Sequence, residues 1–180
     1  MRAPSVLFVD DELDILTDHV RKLEDAGLVV TQRRTTDEAV ADFVTNRGRN
    51  YDLVILDMMI PAPEGEPYHS LYDAWDSMRS GGQLLEILRQ ESREPRPPVL
   101  LLSNLRDDEM LTEAWDRYEM WCASLDRPVA SASNDQMMAQ VLRSQFGTWV
   151  REKRRTPPWH LPVVVKEILQ ASGNSIESRT

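Results

Sequence analysis

The sequence is poor in cysteine and has no long apolar run. Its one cysteine, Cys122, can form neither an internal disulfide nor, alone, a cysteine metal site, so burial as a small apolar side chain is the simpler interpretation. No apolar stretch approaches the roughly 20 residues that span a bilayer. The opening MRAPSVLFVDDE turns acidic too early for a signal peptide. These absences predict a soluble cytoplasmic protein with no membrane partner.

Basic residues are scarce along most of the chain. The first 150 residues carry 15 basic against 27 acidic side chains, an excess that repels nucleic acid and predicts no nucleic-acid partner. The later basic run Arg151, Lys153, Arg154 and Arg155 is interpreted as a helix end, where cations complement the helix dipole. Contact with an anionic partner is the alternative.

Short apolar runs alternate with helical patterns, which is typical of an α/β fold with helices on both faces of a doubly wound parallel sheet. Five strands are predicted, at Ser5–Val9, Leu28–Arg33, Leu53–Leu56, Val99–Leu102 and Trp121–Leu125. The intervening patterns predict helices at about 12–26, 36–47, 82–92, 107–119 and 134–154. Gly27 is expected to close the first helix, and Thr36 or Asp37 to cap the second.

Two segments interrupt this alternation. Residues 61–81 form a connection much longer than usual, and residues 156–180 follow the break at Pro157 and Pro158. We therefore expect one domain over 1–155 with an insertion at about 61–81, and a C-terminal extension whose apolar residues pack on the domain or on a partner. Within the insertion, Tyr68, Tyr72 and Trp75 have helical spacing, and His69 is more simply a solvated side chain than a ligand.

Polar side chains follow three of the predicted strands at the point where each strand ends. Asp10, Asp11 and Glu12 follow the first, Asp57 the third, and Ser103 and Asn104 the fourth. Because ligands of open parallel sheets bind beyond the carboxyl ends of the strands, we expect these residues to meet in one pocket.

Several carboxylates in one pocket repel one another unless a cation neutralises them. An all-oxygen site of this kind is typical of Mg²⁺. Helix capping alone would explain Asp11 or Glu12 singly, but not the joint pattern. A metal-bound Asp57 is a competent nucleophile for phosphoryl transfer. Ser103 could donate to a phosphoryl oxygen, and Arg127, before Pro128, is the candidate cation for another.

Four blocks of the sequence resemble those of the response-regulator receiver domain: VLFVDDELDIL, YDLVILDMMIP, LLLSN and LDRPV, within about residues 4–150. The resemblance implies a flavodoxin-like sheet of order 2-1-3-4-5. It also implies that Asp57 is the phosphoacceptor, that Asp10, Asp11, Asp57 and the main-chain carbonyl of Met59 hold Mg²⁺, and that Ser103 is the switch hydroxyl.

The function implied is that of a stand-alone phosphorelay protein and not of an enzyme, with at most autophosphatase activity. A histidine kinase or phosphotransfer protein would supply the phosphoryl group, and an unidentified protein effector, or a homodimer, would receive the signal. With about 30 residues beyond the predicted fifth helix, no DNA-binding output domain is expected.

Four features depart from the receiver pattern. Arg127 stands in place of the usual lysine, and Ser124 in place of an aromatic residue three positions earlier, for which Trp121 could substitute. Asn104 replaces a small residue beside the switch hydroxyl. The insertion lies where members of the family have a short turn that ends in glycine, and this glycine is mapped to Gly82.

Two rival functions remain open from the sequence. These departures motivate an adaptor of receiver fold that works without phosphorylation. An aspartate-nucleophile phosphatase is less favoured, because such enzymes commonly need a second acid two residues after the nucleophile, where this sequence has Met59.

Overall fold

Five parallel strands form the centre of the computed structural model, which describes residues 2–46, 50–61 and 80–173. They are β1 (Ser5–Val9), β2 (Val29–Arg33), β3 (Leu53–Leu56), β4 (Val99–Ser103) and β5 (Thr148–Glu152). Their order in the sheet is β2-β1-β3-β4-β5. The predicted flavodoxin-like α/β fold is therefore confirmed, and the first and third strands were predicted residue for residue.

Six α-helices occur in the described ranges. They are α1 (Thr17–Asp25), α2 (Thr36–Asn46), α3 (Gly81–Glu91), α4 (Asp107–Ser124), α5 (Asp135–Phe146) and α6 (Leu161–Ala171). A short 3-10 turn, Lys153–Arg155, follows β5. No helix of the described residues is long and apolar enough to cross a membrane.

The central strands are apolar throughout because both faces of the sheet are covered. Alternate side chains of β3 enter different cores: Val54 and Leu56 pack on the side of α2, α3 and α4, whereas Leu53 and Ile55 pack on the side of α1 and α6. All four are fully buried. Such a doubly buried strand reads as a continuous apolar run.

The fifth strand lies elsewhere than predicted. Residues Trp121–Leu125 belong to the end of α4 and its C-cap, and the strand is Thr148–Glu152, inside the range predicted as the last helix. The helical spacing of the buried residues of α4 explains this outcome; they are Met110, Leu111, Ala114, Tyr118, Trp121 and Cys122. Cys122 is buried, as predicted.

The tail beyond Pro158 contributes to the domain core. Helix α6 lies beside α1, and its apolar stripe is buried against the sheet. The buried residues are Leu161, Val164, Val165, Ile168 and Leu169. The residues expected as an extension therefore supply a helix, α6, that covers this face together with α1.

Local signals set most helix ends. Gly27 follows α1 with a φ of 88°, a conformation that favours glycine, as predicted. The hydroxyl of Thr35, and not the side chain of Thr36 or Asp37, accepts a hydrogen bond from the amide of Glu38 at the start of α2. Most of the predicted insertion, including its aromatic stripe and His69, lies outside the described residues.

Candidate functional site

Four polar side chains meet at the carboxyl edge of the sheet, the edge where the strands end. Asp10 follows β1, Asp57 follows β3, Ser103 ends β4 and Lys153 follows β5. The amide of Asp57 donates to the carbonyl of Val9 at 3.0 Å, which fixes the ends of β1 and β3 side by side. The parallel register thus brings together residues that are up to 143 positions apart.

The carboxylate of Asp57 is buried and fully engaged. Its Oδ1 accepts hydrogen bonds from the hydroxyl of Ser103 at 2.6 Å and from the amide of Met59 at 2.9 Å. Its Oδ2 accepts one from Nζ of Lys153 at 3.1 Å. These contacts hold the carboxylate in one orientation, because both of its oxygens have directional donors.

Lys153 joins two buried carboxylates. Its Nζ also donates to Oδ2 of Asp10 at 2.8 Å, and Oδ1 of Asp10 accepts from the amide of Glu12 at 2.8 Å. Burial opposes the charge on Lys153, but Asp57 and Asp10 outweigh it and raise the pKa of the ammonium. Burial, followed by the charge of Asp57, raises the pKa of Asp10 to about 6.

Asp11 adds a third carboxylate. One oxygen from each of Asp10, Asp11 and Asp57 lies within 4.8 Å of the others. Burial, and after it the nearby charge of Asp57, raises the pKa of Asp11. Among the described residues, three carboxylates stand beside the ammonium of Lys153, so negative charge is in excess. A set of close carboxylate oxygens with surplus negative charge fits a hard divalent cation such as Mg²⁺.

Arg127 is not part of this site, which corrects the sequence-based assignment of the cation. The 18 residues of α4 carry the chain about 27 Å away from the carboxyl edge before Arg127 is reached. There its guanidinium lies over the ring of Trp121, 5.3 Å from the centroid. The positive charge beside Asp57 belongs to Lys153 instead.

Because the cation is Lys153 and not Arg127, the other departures inferred around LDRPV must be corrected as well. Ser124 lies in the last turn of α4, where its hydroxyl donates to the carbonyl of Trp121. Neither residue is at the carboxyl edge, so Trp121 cannot substitute there for a switch aromatic. Three positions before Lys153 is Val150, a buried residue of β5. Asn104 does follow Ser103 at the edge, as predicted, and is exposed.

Sequence reasoning missed Lys153 because two patterns misled it. A cation before proline matched the receiver block at Arg127, and the half-buried β5 continued the amphipathic pattern of α5. Gly147 was the available signal: it ends α5 in the left-handed conformation with a φ of 57°, and a strand followed by a lysine comes directly after it. The basic run is thus the end of a strand, not of a helix.

A glycine touches the backbone that carries Asp57, but it is Gly81 and not Gly82. A Cβ on Gly81 would lie 2.3 Å from the carbonyl oxygen of Asp57 and 2.4 Å from the Cα of Met58. The amide of Gly81 donates to the carbonyl of Met58 at 3.2 Å. Only glycine permits this approach, since real Cβ contacts are longer.

Solved structures with the same architecture are receiver domains. The chain is similar to the BeF3-activated DrrB receiver domain, with 18% identity, a TM-score of 0.56, and coverage of 94% of this chain and 99% of that one. It is similarly related to a response regulator receiver domain protein from Clostridium thermocellum, with 17% identity, a TM-score of 0.57 and coverage of 94% and 97%. The chain has the receiver fold.

The receiver fold also matches part of a longer protein. NtrX from Brucella abortus is 21% identical with a TM-score of 0.59, and the match covers 96% of this chain but 28% of NtrX. No protein-family model and no curated protein sequence matches the chain. At these identities the likeness is one of fold.

Proposed function

We propose that this chain is a two-component signalling protein, working in the cytoplasm, that accepts a phosphoryl group on Asp57. The observation that carries the proposal is the buried constellation at the carboxyl edge: a nucleophile candidate held by Ser103, Met59 and Lys153, beside Asp10 and Asp11. The position of the constellation at the carboxyl edge, where ligands of open parallel sheets bind, supports the proposal. The donor is the phosphohistidine of a histidine kinase or phosphotransfer protein.

Mg²⁺ is the cofactor that the donor set fits. Asp10, Asp11, Asp57 and the main-chain carbonyl of Met59 would hold it, and its charge would offset that of the transferring phosphoryl group. The oxygen-only ligands and the excess of carboxylates over lysine support this assignment.

The chain's own residues account for the rest of the transfer. A carboxylate oxygen of Asp57 forms a bond to phosphorus while the bond from phosphorus to the histidine nitrogen breaks, and the imidazole keeps the electron pair. Ser103 and Lys153 already contact opposite oxygens of Asp57, so each is in place to donate to an oxygen of the incoming phosphoryl group. Catalysis of this kind is positioning and charge neutralisation.

The signal leaves through protein contacts, and Glu152 offers a route to α4. This buried carboxylate, next to Lys153 in the chain, accepts a hydrogen bond from the amide of Asp107 at the start of α4 at 3.2 Å. Arg154 and Arg155 pair with its other oxygen. Movement of Lys153 towards a phosphoryl group would therefore disturb the first turn of α4, which an effector or a second copy could sense.

Incubation with a small phosphodonor and Mg²⁺ tests the acceptor. We expect the intact mass to rise by one phosphoryl group, and Asp57→Asn to abolish the gain. Asp116→Asn, an exposed change on α4, is the matched control and should behave as the unmodified sequence does. A gain that survives Asp57→Asn would exclude Asp57 as the acceptor.

A phosphorylation-independent adaptor is the second candidate function. Arg127 and Ser124 no longer support it, because Lys153 provides the cation at the site. A beryllofluoride complex, which mimics the phosphoryl group, distinguishes the two functions: a signalling switch should change its partner capture or oligomeric state on forming the complex, and an adaptor should not. Sustained turnover of phosphate esters would instead favour the phosphatase.

A further inference from the structure

The amino edge of the sheet, where β4 and β5 begin, contains a second polar site. A cavity of about 190 Å³ opens there between the α3–β4 loop and the ends of α4 and α5. Its wall includes Arg89, Arg96, Trp121 and Gln145, together with Glu94. None of these residues belongs to the constellation around Asp57.

Arg89 is a buried cation held by main-chain oxygens. Its side chain is almost fully enclosed, with the residue 2% exposed, and it donates to the carbonyls of Pro97 at 2.7 Å and Gly147 at 2.8 Å. Among the described residues no carboxylate forms an ion pair with it, and its Nε has no hydrogen-bond partner. Burial, followed by the charge of Arg96, lowers its pKa, and the charge of Glu94 opposes this shift.

Trp121 contributes a second unpaired donor. The residue is 3% exposed, and its indole N–H is buried without a partner in the described part of the chain. The guanidinium groups of Arg96 and Arg127 lie 5.4 and 5.3 Å from its ring centroid. A buried donor without an acceptor destabilises a fold, so its persistence requires a reason.

Positive charge dominates this cavity. Glu94 is the acid in its wall, and its carboxylate pairs with Arg96 while remaining largely exposed. Gln145 accepts a hydrogen bond from the hydroxyl of Tyr118 at 2.7 Å, which orients its side-chain amide and leaves the NH₂ group to donate. The buried groups without partners are the Nε of Arg89 and the indole N–H of Trp121, and both are donors. The charge of the two guanidinium groups favours an acceptor that carries negative charge.

We propose that this cavity binds a small oxyanion, a phosphate or carboxylate group, through Arg89, Arg96 and Trp121. Guanidinium forks match the oxygen spacing of both groups, and the indole N–H adds a neutral donor. A cavity of about 190 Å³ has room for a small anion and not for a folded partner. This binding does not depend on phosphorylation of Asp57.

Isothermal titration calorimetry of the full chain tests the site, with inorganic phosphate in one arm and succinate in the other. Mg²⁺ is omitted, and sodium chloride keeps the ionic strength constant. We expect saturable binding of one equivalent in at least one arm, and the stronger arm identifies the group. Trp121→Phe, which keeps the ring and removes the donor, should weaken binding about tenfold. The same loss is expected for Arg96→Gln.

Glu94→Gln supplies a test that misfolding cannot imitate. Removing this exposed carboxylate frees Arg96 and lowers the repulsion of an anion, so binding should become several-fold tighter. Arg21→Gln, an exposed change on α1, should leave the affinity unchanged. The proposal is overturned if neither anion gives a saturable signal, or if binding is the same in the unmodified, Trp121→Phe and Glu94→Gln proteins. Arg89 would then be a structural residue only.

Discussion

The two edges of the sheet carry opposite unbalanced charge. At the carboxyl edge, Asp10, Asp11 and Asp57 face one ammonium, that of Lys153. At the amino edge, Arg89 and Arg96 line a cavity in which Glu94 is the one acid among the described residues. Burial makes each imbalance unfavourable, because a charge removed from water needs a partner. The two proposals rest on this comparison: a metal ion as the ligand of the carboxyl edge, and an oxyanion as the ligand of the amino edge.

Replacing Lys153 or Arg127 by alanine should give the largest difference in phosphorylation rate between two variants. Lys153→Ala removes a direct contact with Asp57, so we expect phosphorylation by a small phosphodonor to slow at least about tenfold, the value of a charge-assisted hydrogen bond. Arg127→Ala should change the rate by less than about twofold, since Arg127 lies over Trp121. The phosphorylation rates of the two variants are measured by following the intact mass over time. Equal rates in the two variants would remove Lys153 from the mechanism.

Asp10→Asn should stabilise the Mg²⁺-free protein. The folded-state pKa of Asp10 is about 6 against an ordinary 3.8, so the folded state binds the proton more tightly than the unfolded state. The free energy of unfolding should therefore fall as pH rises from about 4 through about 6. At pH 7 the variant should gain up to about 3 kcal/mol in urea unfolding, and Mg²⁺ should no longer raise its Tm. A pH-independent difference would contradict the burial argument.

The two adjacent glycines give a matched pair for the backbone beside Asp57. Gly81→Ala forces a Cβ against the main chain of Asp57 and Met58, and should lower the free energy of unfolding by about 2 kcal/mol. In Gly82→Ala the new Cβ lies 3.3 Å from the flexible end of the Met58 side chain, so the free energy of unfolding should change by less than about 0.5 kcal/mol. Urea unfolding distinguishes them. A larger loss for Gly82→Ala would reverse the assignment.

At the amino edge the expected effect on stability is smaller. Arg89→Met retains much of the side-chain volume but leaves the carbonyl of Pro97 without its donor, at a cost of about 1 kcal/mol. The carbonyl of Gly147 still accepts from the amide of Val99. Addition of phosphate should raise the Tm of the unmodified protein and not that of the variant. An identical rise in both would place the anion elsewhere.

The carboxyl edge could be predicted from the sequence where strands are central and apolar. Asp10 and Asp57 follow β1 and β3, and Ser103 ends β4. The apolar side chains of these strands are buried on both faces of the sheet and form uninterrupted apolar runs in the sequence. Parallel pairing then places their ends together without further information. The three residues that carry most of the proposed chemistry were found in this way.

The part of the fold around β5 could not be predicted as well. This strand lies at the edge of the sheet and alternates buried with partly exposed residues, so it resembled the amphipathic helix before it. The connection from β4 to β5 contains two helices, α4 and α5, whereas the sequence predicted the fifth strand between two such helices, at Trp121–Leu125. The amino-edge cavity depends on how α4, α5 and β5 pack together, and no local sequence motif predicts that packing.

Peptide mapping of the phosphorylated protein tests the central claim most directly. After treatment with a small phosphodonor, tandem mass spectrometry should locate one phosphoryl group on Asp57 when Mg²⁺ is present, and none when a chelator has removed the metal ion. Modification at another residue, or equal modification of Asp57 with and without Mg²⁺, would contradict the assignment of the carboxyl edge as a metal-dependent phosphoacceptor site.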